Sequence, residues 1–310
     1  MKVLVTCPPM LGMIDEFRAM FAEKGIELIT PKVVQTLSEE QLMEILPGVD
    51  GWIIGDDPAT ERVFEAGVKG NLKAAVKWGV GVDNVDFKAC EKLGIPIINT
   101  PNMFGAEVAD IAVSYVIGLA RETYAIDRGV RNHQWPKPAG ISLTGKHVAL
   151  VGFGDIGKSV AKRLHAFDMF IHVYDPFAEK RPEDLVRYDF APWPNKLEIC
   201  DFVVTTCALN QHTRHMVNAE TISLMKHGVR VVNVSRGPII DENALIAGIE
   251  SGKVHSVGLD VFEVEPLPTE SKLRSYDKAI FGTHNGSNTK DAVIRASHKA
   301  ISLLFGFLNV

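Results

Sequence analysis

Cysteine is scarce. The 310 residues hold four, Cys7, Cys90, Cys200 and Cys207, with no close CxxC pair. Four thiols in a chain this long are too few for a disulfide framework and fit the reducing cytosol better. Positive charge is not in excess either: 33 Lys and Arg stand against 38 Asp and Glu, a net charge of -5. That balance carries no electrostatic footprint for nucleic acid. Long apolar runs are missing. The most hydrophobic helix candidate, 111–120, is bounded by Asp110 and Arg121 and is too short to span a bilayer. The opening segment MKVLVTCPPMLGMIDEF reads as a buried strand and a loop, without the features of a secretory signal. The expected location is the cytoplasm, with no membrane partner. No serine sits in a G-x-S-x-G elbow, which removes the usual hydrolase arrangement. His165, His172, His212, His215 and His227 show no ligand spacing, so no metal is expected.

What is present is an ordinary folding composition, 46% apolar and 23% charged, in a chain longer than one core usually supports. Two domains are expected. Short apolar runs at 2–6, 25–29, 51–54, 74–77 and 96–98 alternate with helical patterns at 13–24, 38–46, 61–66 and 86–93. Ser38 and Gln41 stand at the capping-box spacing. A second series places strands at 147–151, 171–174, 202–205, 229–234, 256–259 and 279–281, with helices at 158–167, 218–226 and 241–250. Val160, Leu164 and Phe167 fall on one face of the first of these. Runs apolar on both faces, alternating with helices, imply parallel sheets covered on both sides. The fold class is therefore α/β, two doubly wound parallel-sheet domains with a cleft between them. The polar, proline-bearing stretch 121–145 reads equally as a linker or as an arm that packs on a partner subunit. The segment 289–310 reads as one helix able to pack back on the first domain.

The strongest local motif is HVALVGFGDIGKSVAKRL. Gly152, Gly154 and Gly157, with Asp155 and Ile156 between the last two, form G-x-G-x-x-G between a buried strand and an amphipathic helix. The first glycine permits the tight turn, the second lets backbone N–H groups approach a pyrophosphate, and the third allows close helix packing. Asp175 ends the next strand, where a carboxylate accepts from an adenosine ribose and repels the extra phosphate of NADP. NAD is the expected cofactor. Three further residues suit hydride-transfer chemistry. Arg236 and His284 each follow a strand, on the side where ligands bind in open α/β sheets, and Glu265 lies in LDVFEVEP. A guanidinium can grip a carboxylate, a histidine can exchange a proton, and a carboxylate beside it fixes its tautomer.

These motifs resemble the D-isomer-specific 2-hydroxyacid dehydrogenases over nearly the whole chain. The resemblance rests on GVGVDNVD at 79–86, NTPN at 99–102, VGFGDIG at 151–157 and YDP at 174–176. It continues through VNVSRGPIIDENAL at 232–245, LDVFEVEP at 259–266 and THNGSNT at 283–289. Among members, the phosphoglycerate dehydrogenases look closest, in a short form without the regulatory extension. The resemblance implies that Arg236 holds the substrate carboxylate, His284 is the acid/base and Glu265 orients and charges it. Backbone amides around Gly79, Val80 and Gly81 would hold the substrate carboxylate, and Asp260 the nicotinamide carboxamide. Cys207 would pass the adenosine in a backbone or packing role. The implied layout is discontinuous, with 1–99 and 284–310 as a flavodoxin-like substrate domain and 100–283 as the NAD-binding Rossmann domain. Its long helix and the 121–145 arm would build a homodimer.

Two departures bear on the substrate. Where phosphoglycerate enzymes place an arginine and small polar residues for the phosphate, this chain reads GDDPAT, with Gly55, Asp56 and Asp57. Two carboxylates there repel a phosphate unless they cap the helix beginning near Thr60. Before GVGVDN stand Lys77, which could partly replace the lost charge, and Trp78, which would narrow the site, stack on a different substrate or only pack. The expected activity is NAD-dependent interconversion of a 2-oxo acid and a D-2-hydroxy acid, 3-phosphoglycerate being one candidate. The alternative is a glyoxylate- or hydroxypyruvate-type reductase. A nucleotide-sensing corepressor on the same scaffold is the reading from another class, and it has no need of the Arg236, Glu265 and His284 set.

Overall fold

The short runs of the first hundred residues form one sheet: β1 Lys2–Val5, β2 Glu27–Ile29, β3 Gly51–Ile54, β4 Ala74–Lys77 and β5 Ile97–Asn99. The structure, a computed structural model, describes all 310 residues, Met1–Val310. Strand order is β2-β1-β3-β4-β5 and every pairing is parallel, the flavodoxin-like order. β3 and β4 are buried along their whole length, as a sheet covered on both faces requires. Alternation decides which residue meets which layer. Trp52 and Ile54 join Leu42, Leu46, Val63 and Phe64 from the helices on one face. Gly51 faces the other way, where a Cβ would lie 3.2 Å from Leu304 and Leu308 of helix Lys290–Leu308. The predicted capping box is present, with Ser38 Oγ accepting from Gln41 N and Gln41 Oε1 accepting from Ser38 N.

The second series forms β6 His147–Val151, β7 Phe170–Tyr174, β8 Tyr188–Phe190, β9 Phe202–Thr205, β10 Val229–Asn233, β11 Val254–Leu259 and β12 Ala279–Phe281. The order is β12-β11-β10-β9-β6-β7-β8, again all parallel. Chain direction across the sheet reverses between β6 and β9, the switch point at which doubly wound sheets bind ligands.

The chain divides into two units, Met1–Met103 with Asn288–Val310, and Phe104–Ser287. The divisions fall four residues beyond the expected ones, and the later shift carries His284 into the second unit. Hydrogen bonds explain this: His284 N donates to Asp260 O, and Asn285 N and Gly286 N donate to the Asp260 carboxylate.

Other expectations need correction. The helix expected at 13–24 is broken into Pro8–Leu11, a 3-10 turn Ile14–Glu16 and Arg18–Ala22, because the prolines start a helix early and Gly12 closes it. The second sheet has seven strands, not six; β8 is three residues long and carries little periodic signal. Helix Asp155–His165 starts three residues earlier than expected, directly on Gly154, and ends before Phe167, which is exposed. The 121–145 stretch opens with a helix, Thr123–Arg131, before an element-free segment in which Trp135 is exposed.

Candidate active site

The glycine motif follows β6 at the switch point. Gly152 has φ +96°, and a Cβ there would lie 2.7 Å from Cys207 N. A Cβ on Gly157 would lie 2.1 Å from Gly152 O. Thr206 Oγ1, just past β9, donates to the carbonyls of Val151 and Gly152 and ties the two strand ends together. Gly154 differs: its Cβ direction meets nothing within 4 Å, and it caps helix Asp155–His165. Two glycines are thus demanded by the protein's own packing, and the middle one leaves open space at a helix N-terminus, where a phosphate is favoured. Asp155 and Ile156 open that helix, and the Asp155 carboxylate lies where Gly105 has no side chain. Asp175 Oδ2 accepts from Phe153 N at 2.8 Å and Oδ1 from Phe177 N at 2.9 Å. Its carboxylate is thereby fixed beside the glycine turn with lone pairs left over for a ribose. These features fit a dinucleotide. Cys207 packs against the core, and burial pushes its thiol up to about 12, so it is no nucleophile at neutral pH.

Arg236, Glu265 and His284 are brought together. Glu265 Oε2 lies 2.8 Å from His284 Nδ1, both side chains being 20% exposed. On the other side of the ring, Arg236 Nη1 lies 3.5 Å from His284 Nε2. The loops carrying Arg236 and Glu265 meet through Gly237, where a Cβ would lie 1.8 Å from Phe262 O. Glu265 Oε1 accepts from Phe262 N at 2.9 Å, which orients the carboxylate toward the imidazole. Asn233, which sequence reasoning did not single out, shapes the Arg236 turn. Its Oδ1 accepts from Thr205 Oγ1, Ser235 N and Ser235 Oγ, while its Nδ2 donates to Arg236 O. The signal was in VNVSRG, where a buried asparagine at a strand end demands partners.

Asp260 has a different environment from the one expected of a cofactor ligand. It is 3% exposed, and its two oxygens accept from Asn285 N and Gly286 N. Burial pushes its carboxyl up, against these bonds and the nearby His284.

In the first unit, the loop after β4 turns its carbonyls inward. Lys77 Nζ donates to Trp78 O, Thr100 N to Gly79 O, and Asn99 Nδ2 to Val80 O. Gly79 N is spent on Thr100 Oγ1 at 2.8 Å, so of the Gly79–Val80–Gly81 loop the amides of Val80 and Gly81 are those left for an anion. Lys77 itself corrects the expectation of a substrate-facing cation. It is 1% exposed, and its ammonium also donates to Gly55 O at 2.7 Å and Asp56 Oδ1 at 3.0 Å. Trp78 is buried, with Nε1 donating to Ser297 Oγ of helix Lys290–Leu308, a packing role. The two aspartates do not act as a repelling pair, and neither caps the helix at Thr60. Asp57 is fully buried and accepts from Leu37 N, Gly55 N and Thr6 Oγ1. Asp56 is paired with Lys77. Asn84, another residue the sequence reading passed over, bridges the carbonyls of Gly55 and Asp57.

Residues 113–286 match the family described as D-isomer specific 2-hydroxyacid dehydrogenase, NAD binding domain. The chain is 37% identical to a hydroxypyruvate reductase of Thermotoga maritima over 280 residues, 88% of this chain and 90% of that protein. It is 33% identical to a D-3-phosphoglycerate dehydrogenase of Methanocaldococcus jannaschii over 94% of this chain but only 54% of that protein, and so spans about half of that relative. A solved structure of a protein from Thermus thermophilus matches with TM-score 0.88 and 28% identity, covering 100% of this chain and 97% of that one. With the motifs in order, the parallel sheets in the expected strand orders and these likenesses together, the chain belongs to the D-isomer-specific 2-hydroxyacid dehydrogenases, NAD-binding oxidoreductases.

Proposed function

We propose that this enzyme reduces an unphosphorylated 2-oxo acid of the hydroxypyruvate or glyoxylate class to the D-2-hydroxy acid, with NADH as the donor. The observation that carries the reaction is the linked set Glu265, His284 and Arg236. NADH, when bound, supplies the hydride. His284 Nε2 donates the proton to the carbonyl oxygen of the substrate, while Glu265 holds Nδ1–H and favours the charged imidazolium. Arg236, with its guanidinium beside Nε2, addresses the same end of the ring and grips the substrate carboxylate. In the first unit, the amides of Val80 and Gly81 offer donors to an anion. Gly152, Gly154 and Gly157 would hold the pyrophosphate, Asp175 the ribose, and Cys207 its neighbourhood through main chain alone.

The substrate class rests on Lys77. A phosphate at the end of β3 needs a cation, and this one is enclosed by three oxygen acceptors, one of them the Asp56 carboxylate. The similarity to a hydroxypyruvate reductase along most of both chains supports the same reading. The 121–145 segment, with exposed Trp135, suits a homodimer arm, and the cytoplasm suits the reduced thiols. The test is NADH oxidation against hydroxypyruvate, glyoxylate and 3-phosphohydroxypyruvate. We expect the unphosphorylated acids to be preferred; a strong preference for the phosphorylated acid refutes the substrate class, and no turnover of any 2-oxo acid refutes the activity.

A further inference from the structure

His215 lies between β9 and helix Ala219–Leu224 and has no part in the reaction described above. By its main chain it belongs to the turn that follows Arg236. His215 N donates to Pro238 O at 2.8 Å, Val217 N to Ile239 O at 3.2 Å and Asp241 N to Val217 O at 2.9 Å. Residues 215–217 thus run beside 238–241, with Val217 and Ile240 paired in parallel. Asn218 Nδ2 donates to His215 O at 3.0 Å and fixes the peptide from the other side. His215 sits at φ +49°, the left-handed region that a histidine rarely adopts and that persists only where its surroundings impose it.

The side chain leaves this strip and crosses to the loop that carries Glu265. His215 Nε2 lies 2.5 Å from Glu263 Oε1. An ionised carboxylate only accepts, so the imidazole donates. Glu263 N in turn donates to Glu242 Oε1 at 2.7 Å, and Phe262 N to Glu265 Oε1 at 2.9 Å. Three carboxylates therefore crowd around residues 262–265, and each is held by a donor. Burial pushes the Glu242 carboxyl up, and the charges of Glu263 and Glu265 add to that. We propose that His215 is a positioning residue for Glu265: its imidazole fastens the 262–265 loop, through Glu263, to the strip fixed beside the Arg236 turn. This inference rests on the acid/base reading of Glu265 and His284.

The physical reason is that Glu265 reaches His284 from a loop without regular secondary structure. Packing sets how near that loop comes to the Arg236 turn, since a Cβ on Gly237 would lie 1.8 Å from Phe262 O and 2.4 Å from Glu263 N. Packing alone does not aim a carboxylate; a directional hydrogen bond does. Without His215, Glu263 is repelled by Glu242 and Glu265 with no donor to hold it, and the residue two places further on loses a restraint. The Arg236 turn keeps its main-chain bonds to residues 215 and 217, which do not depend on the side chain at 215. The contact therefore governs the carboxylate that charges the histidine, and not the guanidinium that grips the substrate.

Three variants test this. His215→Leu removes the donor, Glu263→Ala breaks the same bond from its other end, and His215→Gln restores an N–H at the place of Nε2. The His215 side chain is 39% exposed, so leucine there opens no cavity; should either bond-breaking variant fail to fold, the other carries the test. kcat and KM for hydroxypyruvate, NADH affinity by fluorescence and the thermal midpoint are measured for each variant, alone and combined with Glu265→Gln. We expect kcat to fall about fivefold in His215→Leu and Glu263→Ala, with KM and NADH affinity nearly unchanged. His215→Gln should stay within about twofold of wild type. Residues that act through one another are not additive, so His215→Leu should cost almost nothing more once Glu265 is replaced. Wild-type kcat in His215→Leu, an undiminished loss in the Glu265→Gln background, no recovery with glutamine, or a loss confined to KM, NADH affinity or the thermal midpoint each overturns the proposal. If the wild-type protein reduces no 2-oxo acid, the underlying activity fails separately, and the His284 imidazole titration by NMR decides. The drop in its pKa caused by Glu265→Gln should shrink in the His215→Leu protein, and an undiminished drop overturns the coupling.

Discussion

Glu265→Gln is the most direct perturbation of the acid/base pair, because the wild-type carboxylate serves two donors with two oxygens. Oε2 accepts from His284 Nδ1 at 2.8 Å and Oε1 from Phe262 N at 2.9 Å. Glutamine offers one oxygen, so one donor loses its acceptor, and the charge that favours the imidazolium disappears in either case. A hydrogen bond to a charged partner contributes about 1.5–3 kcal/mol. Both side chains are 20% exposed, so water screens part of the interaction, and the lower part of that range applies, about 2 kcal/mol. That corresponds to a loss of roughly 30-fold in kcat for reduction at neutral pH. The sign of the pH effect follows from the chemistry. A partner that favours the charged imidazole raises its pKa, and activity that needs the proton is full below that pKa and lost above it. Without Glu265 the alkaline limb therefore shifts to lower pH, and activity recovers partly as the assay is made more acidic. The assay is initial NADH oxidation at saturating 2-oxo acid over a pH series. A variant with wild-type kcat and an unmoved limb would remove Glu265 from the mechanism, and with it the argument that the 2.8 Å contact charges the histidine.

Three other perturbations test separate parts of the structure. Lys77→Met leaves the Asp56 carboxylate and the carbonyls of Gly55 and Trp78 without their donor, and should cost about 3 kcal/mol in urea unfolding while raising KM for every 2-oxo acid alike. Unchanged stability with a loss confined to a phosphorylated substrate would return Lys77 to a substrate-binding role. Asp175→Ala should relax the preference for NADH over NADPH, and an unchanged ratio of kcat/KM values would dismiss it as the selector. His147→Gln should flatten the acid side of the stability curve. Burial first, and the stacked His172 second, push the His147 pKa down, so below the unfolded value of about 6.5 the unfolded chain binds a proton that the native one refuses. Native stability then falls as pH drops toward the folded pKa, and an identical slope in the variant, followed by urea midpoints, would contradict that account.

Much of the fold was legible because parallel strands buried on both faces announce themselves as short apolar runs. β3, β4, β6, β9 and β12 have the bounds the runs suggested, and the ends of the others moved by one or two residues. Failures came where the signal is local and weak. β8 is three residues at the sheet edge, and the Pro8–Leu11 turn of helix depends on proline geometry that periodicity does not register. The site was legible where glycine or a strand end dictated position, as at Gly152, Gly157 and Arg236. It was not legible where function depends on which polar group faces which. Asn233 and Asn84 are ordinary residues in a linear reading. Only the folded chain shows that Asn233 holds the main chain of Arg236 and that Asn84 bridges the carbonyls of Gly55 and Asp57.

The turn after β3 shows the limit of counting charges. In the sequence, Asp56 and Asp57 look like two negative charges facing whatever binds there, and Lys77 like a cation offered in compensation. In the structure Asp57 faces inward, where burial pushes its carboxyl up and three donors hold it. Its task is to fasten β1, the Gly55 turn and the segment at Leu37. Asp56 and Lys77 neutralise one another. The turn is therefore nearly closed electrically: it neither repels an anion strongly nor supplies a cation to bind one. Selection against a phosphorylated acid would then arise from the cost of stripping a phosphate of water without giving it a partner, and not from direct repulsion. The two causes differ in their response to salt. Repulsion between charges is screened as ionic strength rises, whereas a missing partner is not restored by salt. A preference for the unphosphorylated acid that persists at high ionic strength is what this geometry requires.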